Sequence, residues 1–171
     1  MKRAFCLLAL SSVIVFSATA QGALWNFEAF LDGLQETPPV ATPGTGYGTG
    51  TLDDVTGIMS VSGTFQDLIA PANNAHVHGM APPGTPAGVL FGLTFTAATS
   101  GTFSGDNSSS PFTPAQVADV LNELTYVNIH SSFRPGGEIR GQLLVVPEPS
   151  TFVLAAVGLI SALAVRRRLA R

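Results

Sequence analysis

The chain has 171 residues, a formal net charge of −3 and a mean hydropathy of +0.36, and this length suits one globular domain. Its one cysteine, Cys6, lies in the N-terminal apolar segment, which excludes disulfides and cysteine metal sites from the rest of the chain. Between residues 21 and 146, ten acidic residues outweigh two arginines and no lysine, a net charge of −8 that argues against nucleic acid and anionic lipid as partners.

The N-terminus has the order of a secretory signal peptide. The basic Met1-Lys2-Arg3 precedes an apolar run over residues 4–16, and Ala18 and Ala20 are the small residues that signal peptidase requires. The run is shorter than the roughly 20 apolar residues that cross a bilayer, which favours a cleavable signal over a permanent anchor. We therefore predict a signal peptide over residues 1–20, with signal peptidase as a processing partner.

Residues 21–146 predict an all-β domain. The segment is rich in Gly, Pro, Ser and Thr, and its short β-prone runs alternate with turn signals, which is typical of a β-sandwich or a barrel. Strands are predicted at Trp25–Leu31, Gly48–Leu52, Gly57–Phe65, Ala75–Gly79, Gly88–Phe95, Gly101–Ser104, Tyr126–His130 and Glu138–Val145. The stretch Pro38–Gly50 is predicted to be a loop because of its Gly and Pro content.

One short helix is predicted after Thr113. Thr113 suits an N-cap, Pro114 suits the first helical position, and Gln116 stands three residues after the cap, which is the spacing of a capping box. The apolar residues that follow have helical spacing and form one stripe: Val117, Val120, Leu121 and Leu124. We expect this stripe to pack on the sheet at one end of the domain.

All three histidines of the chain lie on predicted strands. Side chains two residues apart on a strand point to the same side, so His76 and His78 share one face. The same rule groups the polar side chains of two further strands: Tyr126, Asn128, His130, Glu138, Arg140 and Gln142. If these faces converge, three imidazoles and the Glu138 carboxylate suit a divalent transition metal such as Cu, Zn or Mn.

Two interpretations of these residues stay open. In the first, His76, His78, His130 and Glu138 are metal ligands. In the second they are structural, with the histidines bonded to backbone carbonyls or turns, and with Glu138 and Arg140 in a polar network with each other or with Asp32 and Glu36. A ligand-binding or catalytic role is a third possibility.

No catalytic motif is found in the sequence. It contains no Gly-x-Ser-x-Gly elbow, phosphate loop or His-Glu-x-x-His helix, so we do not predict an enzyme. Asp53-Asp54 and Asp106-Asn107 have the composition of turns rather than of calcium loops. Tyr47 and Phe133 lie in Gly- or Pro-rich contexts, where exposed rings can stack on sugars, so a glycan- or protein-binding module is an alternative function.

The C-terminal residues resemble a PEP-CTERM sorting signal. Pro147, Glu148 and Pro149 precede an apolar run over residues 151–165, which is followed by the basic cluster Arg166, Arg167 and Arg168. As a helix the run would span roughly 22 Å, and the arginines would keep its end in the cytoplasm as a single-pass transmembrane tail. The resemblance implies cleavage by an exosortase and transfer to the surface of a Gram-negative bacterium. We predict this tail over residues 147–171.

The stretch between the two signals resembles the CHRD domain, a module named after chordin. The resemblance lies in four stretches: Phe30-Leu31-Asp32-Gly33 with Gln35-Glu36-Thr37-Pro38-Pro39-Val40, Ala75-His76-Val77-His78-Gly79, Tyr126-Val127-Asn128-Ile129-His130, and Pro135-Gly136-Gly137-Glu138-Ile139-Arg140-Gly141-Gln142. It implies an extracellular, Greek-key-type antiparallel β-sandwich over residues 21–146, and it carries over no agreed activity.

Together these patterns predict a protein that crosses the inner membrane and reaches the cell surface or the extracellular matrix. Its β-domain is predicted to be non-enzymatic, with a structural or binding role toward an extracellular polysaccharide or a surface protein. A metal-binding or redox-active domain that uses His76, His78 and His130 is the alternative.

Overall fold

A computed structural model describes residues 22–147 of the chain. The predicted signal peptide with Ala18 and Ala20 lies outside the described residues. So do most of the predicted sorting residues, namely Glu148, Pro149, Arg166, Arg167 and Arg168. In the described part of the chain, none of the helices combines the length and the apolar character needed to cross a membrane.

Residues 22–147 form ten strands and one helix, which confirms the all-β class and the single short helix. The strands are β1 Leu24–Asp32, β2 Thr45–Asp53, β3 Met59–Gln66, β4 Ala72–Gly79, β5 Val89–Gly92, β6 Thr94–Phe95, β7 Gly101–Asp106, β8 Thr125–Ser131, β9 Ile139–Gln142 and β10 Leu144–Val145. The helix α1, Pro114–Leu121, lies between β7 and β8.

The strands form one nearly closed, barrel-like antiparallel sheet, where the prediction had two sheets of a sandwich. The strand order is β5-β4-β8-β9-β1-β2-β3-β7-β6, and β10 pairs with β1. The physical reason lies in the segment β5–β6, which pairs with β4 through its first part and with β7 through its second. Because one segment bridges the two ends of the sheet, few edge groups are left unpaired.

Two predicted strands are each divided in the structure. The predicted strand Gly88–Phe95 becomes β5 and β6, and the predicted strand Glu138–Val145 becomes β9 and β10. At each division one residue donates its N–H to a carbonyl of another strand, Leu93 to β4 and Leu143 to β8, both at 2.9 Å. The strands therefore divide where the chain changes its hydrogen-bonding partner.

The predicted loop Pro38–Gly50 is shorter than expected, because β2 already begins at Thr45. The glycines of β2 pair in register with β1 and β3. They admit close approach of core side chains, since a Cβ on Gly48 would lie 3.0 Å from the Phe103 ring. High glycine content therefore marks close packing here and not only a turn.

The core fills the inside of the barrel with alternate strand residues. Its largest fully buried apolar side chains are Phe27, Leu31, Leu52, Met59, Val77, Phe103, Val120, Val127, Ile129, Ile139 and Leu143. The helix joins this core through Val117 and Val120, and the predicted capping box between Thr113 and Gln116 is confirmed.

Candidate metal centre

Strands β4, β8 and β9 carry a set of polar side chains on the face opposite the core. In the β4–β8 ladder His76 pairs with Asn128, and His78 pairs with Tyr126. In the β8–β9 ladder Asn128 pairs with Arg140. The residues between them point into the barrel, which leaves the polar side chains together on the outer face.

This outer face is covered by the chain. Every residue of β8 and of β9 is buried. His78, His130 and Arg140 are only 8%, 9% and 2% exposed. The cover comes from connecting segments, because backbone carbonyls of Ala81, Thr85, Ala87 and Pro135 accept hydrogen bonds from side chains of this face. These polar side chains therefore form a buried layer on the outside of the barrel.

The three histidines converge within this layer. One ring nitrogen of each, from His76, His78 and His130, lies within 4.8 Å of the others. Their ring centroids are 5.0 to 5.8 Å apart, and His76 Nδ1 lies 3.1 Å from His130 Nε2. The strand periodicity thus brought together three of the four predicted ligands, and metal binding by them stays a prediction.

The backbone contacts fix the tautomers of two of the rings. A carbonyl only accepts, so His78 Nδ1 donates to Ala87 O at 3.0 Å and His130 Nδ1 donates to Pro135 O at 2.9 Å. Each neutral ring then carries a lone pair on Nε2. His78 Nε2 is buried and has no hydrogen-bond partner among residues 22–147. An imidazole anchored through one nitrogen with the other free is the usual arrangement of a metal-binding histidine.

The electrostatics keep these rings neutral. Burial lowers the pKa of His78 and of His130, although their carbonyl partners oppose that change. Burial also lowers the pKa of His76, and the neighbouring His130 and His78 add to the effect. A neutral imidazole is the form that binds a metal, so the site is ready to bind near neutral pH without first releasing protons.

A stack of side chains orients His78. Its ring lies parallel to the Tyr126 ring, with centroids 5.0 Å apart and planes 6° apart. The Arg140 guanidinium carbon lies 3.4 Å from the centroid of Tyr126. The Tyr126 hydroxyl accepts the N–H of Ala87 at 3.0 Å, and the carbonyl of the same Ala87 holds His78. Sequence reasoning placed Tyr126 on the polar face without a role and Arg140 in a polar network, and it had no signal for a backbone group such as Ala87.

Glu138, the fourth predicted ligand, lies outside the histidine group. Its Oε1 accepts hydrogen bonds from the Thr42 hydroxyl and the Ile69 N–H, both at 2.7 Å, and its Oε2 accepts from the Ser131 hydroxyl. The strand alternation does not extend to it, because β9 begins only at Ile139 and the preceding Gly137 has a φ of +130°. Glu138 is fully buried and forms a structural cluster of its own.

The acidic turns and the two aromatic residues have simpler surroundings. Asp53 accepts the N–H groups of Val55 and Thr56, and Asp106 accepts that of Ser108, as turn residues do. Tyr47 and Phe133 are each 41% exposed. Sugar stacking by these rings stays a prediction.

The chain matches known families in two places. Residues 27–143 match the CHRD domain profile, and residues 145–168 match the PEP-CTERM protein-sorting motif, which confirms both resemblances. The sorting motif identifies an exported protein that an exosortase processes and directs to the cell surface. No curated protein and no solved structure shows significant similarity to the chain.

Proposed function

The chain belongs to the CHRD domain family, and we propose that its barrel binds one transition-metal ion outside the cell through His76, His78 and His130. The observation that carries this proposal is the buried, unpartnered Nε2 of His78. Leaving such an atom without a partner costs roughly 1–3 kcal/mol. A metal ion would give this lone pair the partner that residues 22–147 do not supply.

The ligand set favours copper or zinc over manganese. Imidazole nitrogen suits Cu and Zn, whereas Mn prefers carboxylate and water oxygen. Glu138 has its oxygens engaged by Thr42, Ile69 and Ser131, so the histidine group has no carboxylate among the described residues. Three protein ligands leave a fourth position on the ion for water or an external ligand.

The two types of histidine have different parts in this site. His78 and His130 are anchored to carbonyls and present Nε2 without rearrangement. His76 is less buried, and its Nδ1 contacts His130 Nε2 at 3.1 Å, a contact that a metal ion would replace. We therefore assign His76 as the ligand whose hydrogen bonding changes on binding.

We propose a binding role rather than a catalytic one for this site. The Tyr126 hydroxyl is occupied by Ala87, and the histidine group holds no acid or base other than the imidazoles within residues 22–147. The sorting motif directs the domain to the cell surface, so the proposed neighbours are an extracellular polysaccharide or a surface protein. At the cell surface the domain would hold one metal ion next to the polysaccharide or the surface protein.

Metal analysis of the full chain tests this proposal. The protein is exported in a Gram-negative host, purified in mild detergent without a histidine tag, and reconstituted with Cu²⁺ or Zn²⁺. We expect about one equivalent of metal per chain, lost in His78→Ala and in the variant with all three histidines replaced. Asp106→Asn, which alters an exposed acidic turn, is the control and should keep the metal. Absence of metal after reconstitution, or equal uptake by His78→Ala, would contradict the proposal.

A further inference from the structure

A pocket of about 350 Å³ is lined in part by Arg140, the residue that stacks on Tyr126. Its lining includes the apolar residues Leu34, Pro39 and Pro83 and five polar residues: Gln35, Glu36, Thr37, Arg140 and Gln142. This volume is at the lower end of the range for small-molecule sites. The pocket is therefore large enough to hold a small ligand.

Arg140 brings an unpaired positive charge to this pocket. Its side chain is 2% exposed, it stacks on Tyr126, and its Nη2 donates to Thr85 O at 3.1 Å. Within residues 22–147 it forms no ion pair, although a guanidinium carries five N–H donors. A buried charge without a counter-ion costs several kcal/mol. An anion in the pocket would remove that cost.

Glu36 supplies the missing negative charge only in part near neutral pH. Burial raises the pKa of its carboxyl to about 7, and the Arg140 charge only partly opposes that change. Arg140 on β9 is the charged group that acts on Glu36, while β8 presents the uncharged Asn128 beside it. Glu36 Oε1 is buried and makes no hydrogen bond with the described residues. In its protonated form Glu36 can donate a hydrogen bond to an acceptor.

We propose that this pocket binds a carboxylate group, held by the Arg140 guanidinium and by a hydrogen bond from Glu36. A carboxylate is planar and matches the paired N–H groups of a guanidinium. A protonated carboxylic acid beside it adds a donor without adding a like charge. The carboxylate can belong to a small organic acid or to a uronic acid of a sugar chain. This site does not depend on metal binding by the histidines.

Binding of two probes to the full chain in detergent tests the proposal. n-Butyrate represents a free organic acid and D-galacturonate a sugar acid, and calorimetry is run at pH 6 and pH 8.5, on either side of the Glu36 pKa of about 7. We expect a Kd of about 1 mM for at least one probe at pH 6. At pH 8.5 we expect binding weaker by about tenfold or more, because the Glu36 carboxylate then repels the ligand.

Single substitutions distinguish the contributions of Glu36 and Arg140 to the affinity for the probes. Glu36→Gln keeps a donor that does not titrate, so its affinity should be the same at both pH values. Arg140→Lys loses the planar fork and should bind about tenfold more weakly. Glu28→Gln, on another face of the barrel, should bind as wild type does. The preferred probe identifies the source of the carboxylate.

Three results would overturn the assignment. These are no heat of binding for either probe at about 50 mM and pH 6, an unchanged affinity in Arg140→Lys, and the same pH dependence in wild type and Glu36→Gln. The comparison of wild type with Glu36→Gln tests the carboxylate site even if Arg140→Lys does not fold. The three-histidine variant should still bind the probes, so failure of the metal proposal and failure of this one are distinguishable.

Discussion

The two halves of the barrel use their outer faces differently. In β2, β3 and β7 the side chains alternate, so that Thr49, Ser62 and Ser104 are exposed while Val61 and Phe103 are buried. In β8 and β9 every residue is buried. The side-chain period is two in both halves. The difference arises because connecting segments cover the outer face of β8 and β9 and leave that of β2, β3 and β7 in water.

A covered polar face has to satisfy its hydrogen bonds within the protein. Most of its groups do so, as Gln142 Nε2 does with carbonyls of Ala81 and Glu123 at 3.3 and 2.5 Å. Four buried side-chain atoms among the described residues do not: His78 Nε2, Glu36 Oε1, Asn128 Oδ1 and Thr125 Oγ1. Buried polar atoms without partners are rare in proteins and call for an explanation. Both proposed ligand sites therefore lie in the half of the barrel whose outer face is covered, the covered half.

The largest expected effect on stability comes from Glu138→Ala in the covered half. It removes a buried acceptor of three hydrogen bonds and leaves the Ile69 N–H and the O–H groups of Thr42 and Ser131 without their acceptor. We expect the free energy of unfolding to fall by about 3–4 kcal/mol, measured by urea denaturation of the metal-free protein.

The same variant tests the ligand assignment. Glu28→Ala, on β1, is the matched control and should change stability by no more than about 0.5 kcal/mol. Folded Glu138→Ala should keep its metal, because the histidine group does not include Glu138. Loss of metal with intact folding would return Glu138 to the ligand set, and a loss of stability as small as the control's would contradict its structural role.

A smaller effect, on metal affinity, is expected from Tyr126→Leu, which removes the ring stacked on His78 and the hydroxyl bonded to Ala87. Groups that orient metal ligands typically contribute 10–100-fold to affinity. We expect a loss of about that size in a chelator-competition titration of the full chain. Tyr126→Phe keeps the stack and should lose less, and Tyr47→Leu on the exposed half should lose nothing. Equal affinity in wild type and Tyr126→Leu would show that the stack does not position His78.

The sequence predicted the parts of the fold that depend on local chemistry. The capping box from Thr113 to Gln116 is such a part, because its residues are close in the chain. The spacing of His76 and His78 predicted a shared face for the same reason. The closure of the barrel at Leu93 was not predictable, since the switch of partner from β4 to β7 depends on residues far away in the chain.

Two features of the proposed sites were not predicted from the sequence, and they share one physical cause. Glu36 lies in a turn segment without periodicity, and its burial and raised pKa come from tertiary packing. Glu138 was grouped with the histidines because the strand was assumed to begin one residue earlier than it does, and in the structure it lies outside the histidine group. A strand pattern gives the face of a side chain, but it does not show which segment covers that face.

The smallest expected effect is the pH dependence of stability caused by Glu36. Its pKa is raised from 4.5 to about 7, so the folded state holds a proton that the unfolded state releases in that window. The contribution of protonated Glu36 to the free energy of unfolding is therefore full below pH 4.5 and is lost as pH rises to about 7. After allowance for solvent screening we expect a loss of about 1–2 kcal/mol across the window.

Glu36→Gln should remove this slope, and the sign of the effect distinguishes Glu36 from the histidines. The histidines have lowered pKa values, so their contribution is lost as pH falls below 6.5, in the opposite direction. The difference between wild type and Glu36→Gln at each pH cancels the histidine contribution, and Glu28→Gln controls for loss of one carboxylate on the barrel. If urea denaturation gives wild type and Glu36→Gln the same slope between pH 4.5 and 7, Glu36 titrates as an ordinary carboxyl. The carboxylate pocket would then lack its hydrogen-bond donor at pH 6, and the histidine site would be the one proposed ligand site left in the covered half.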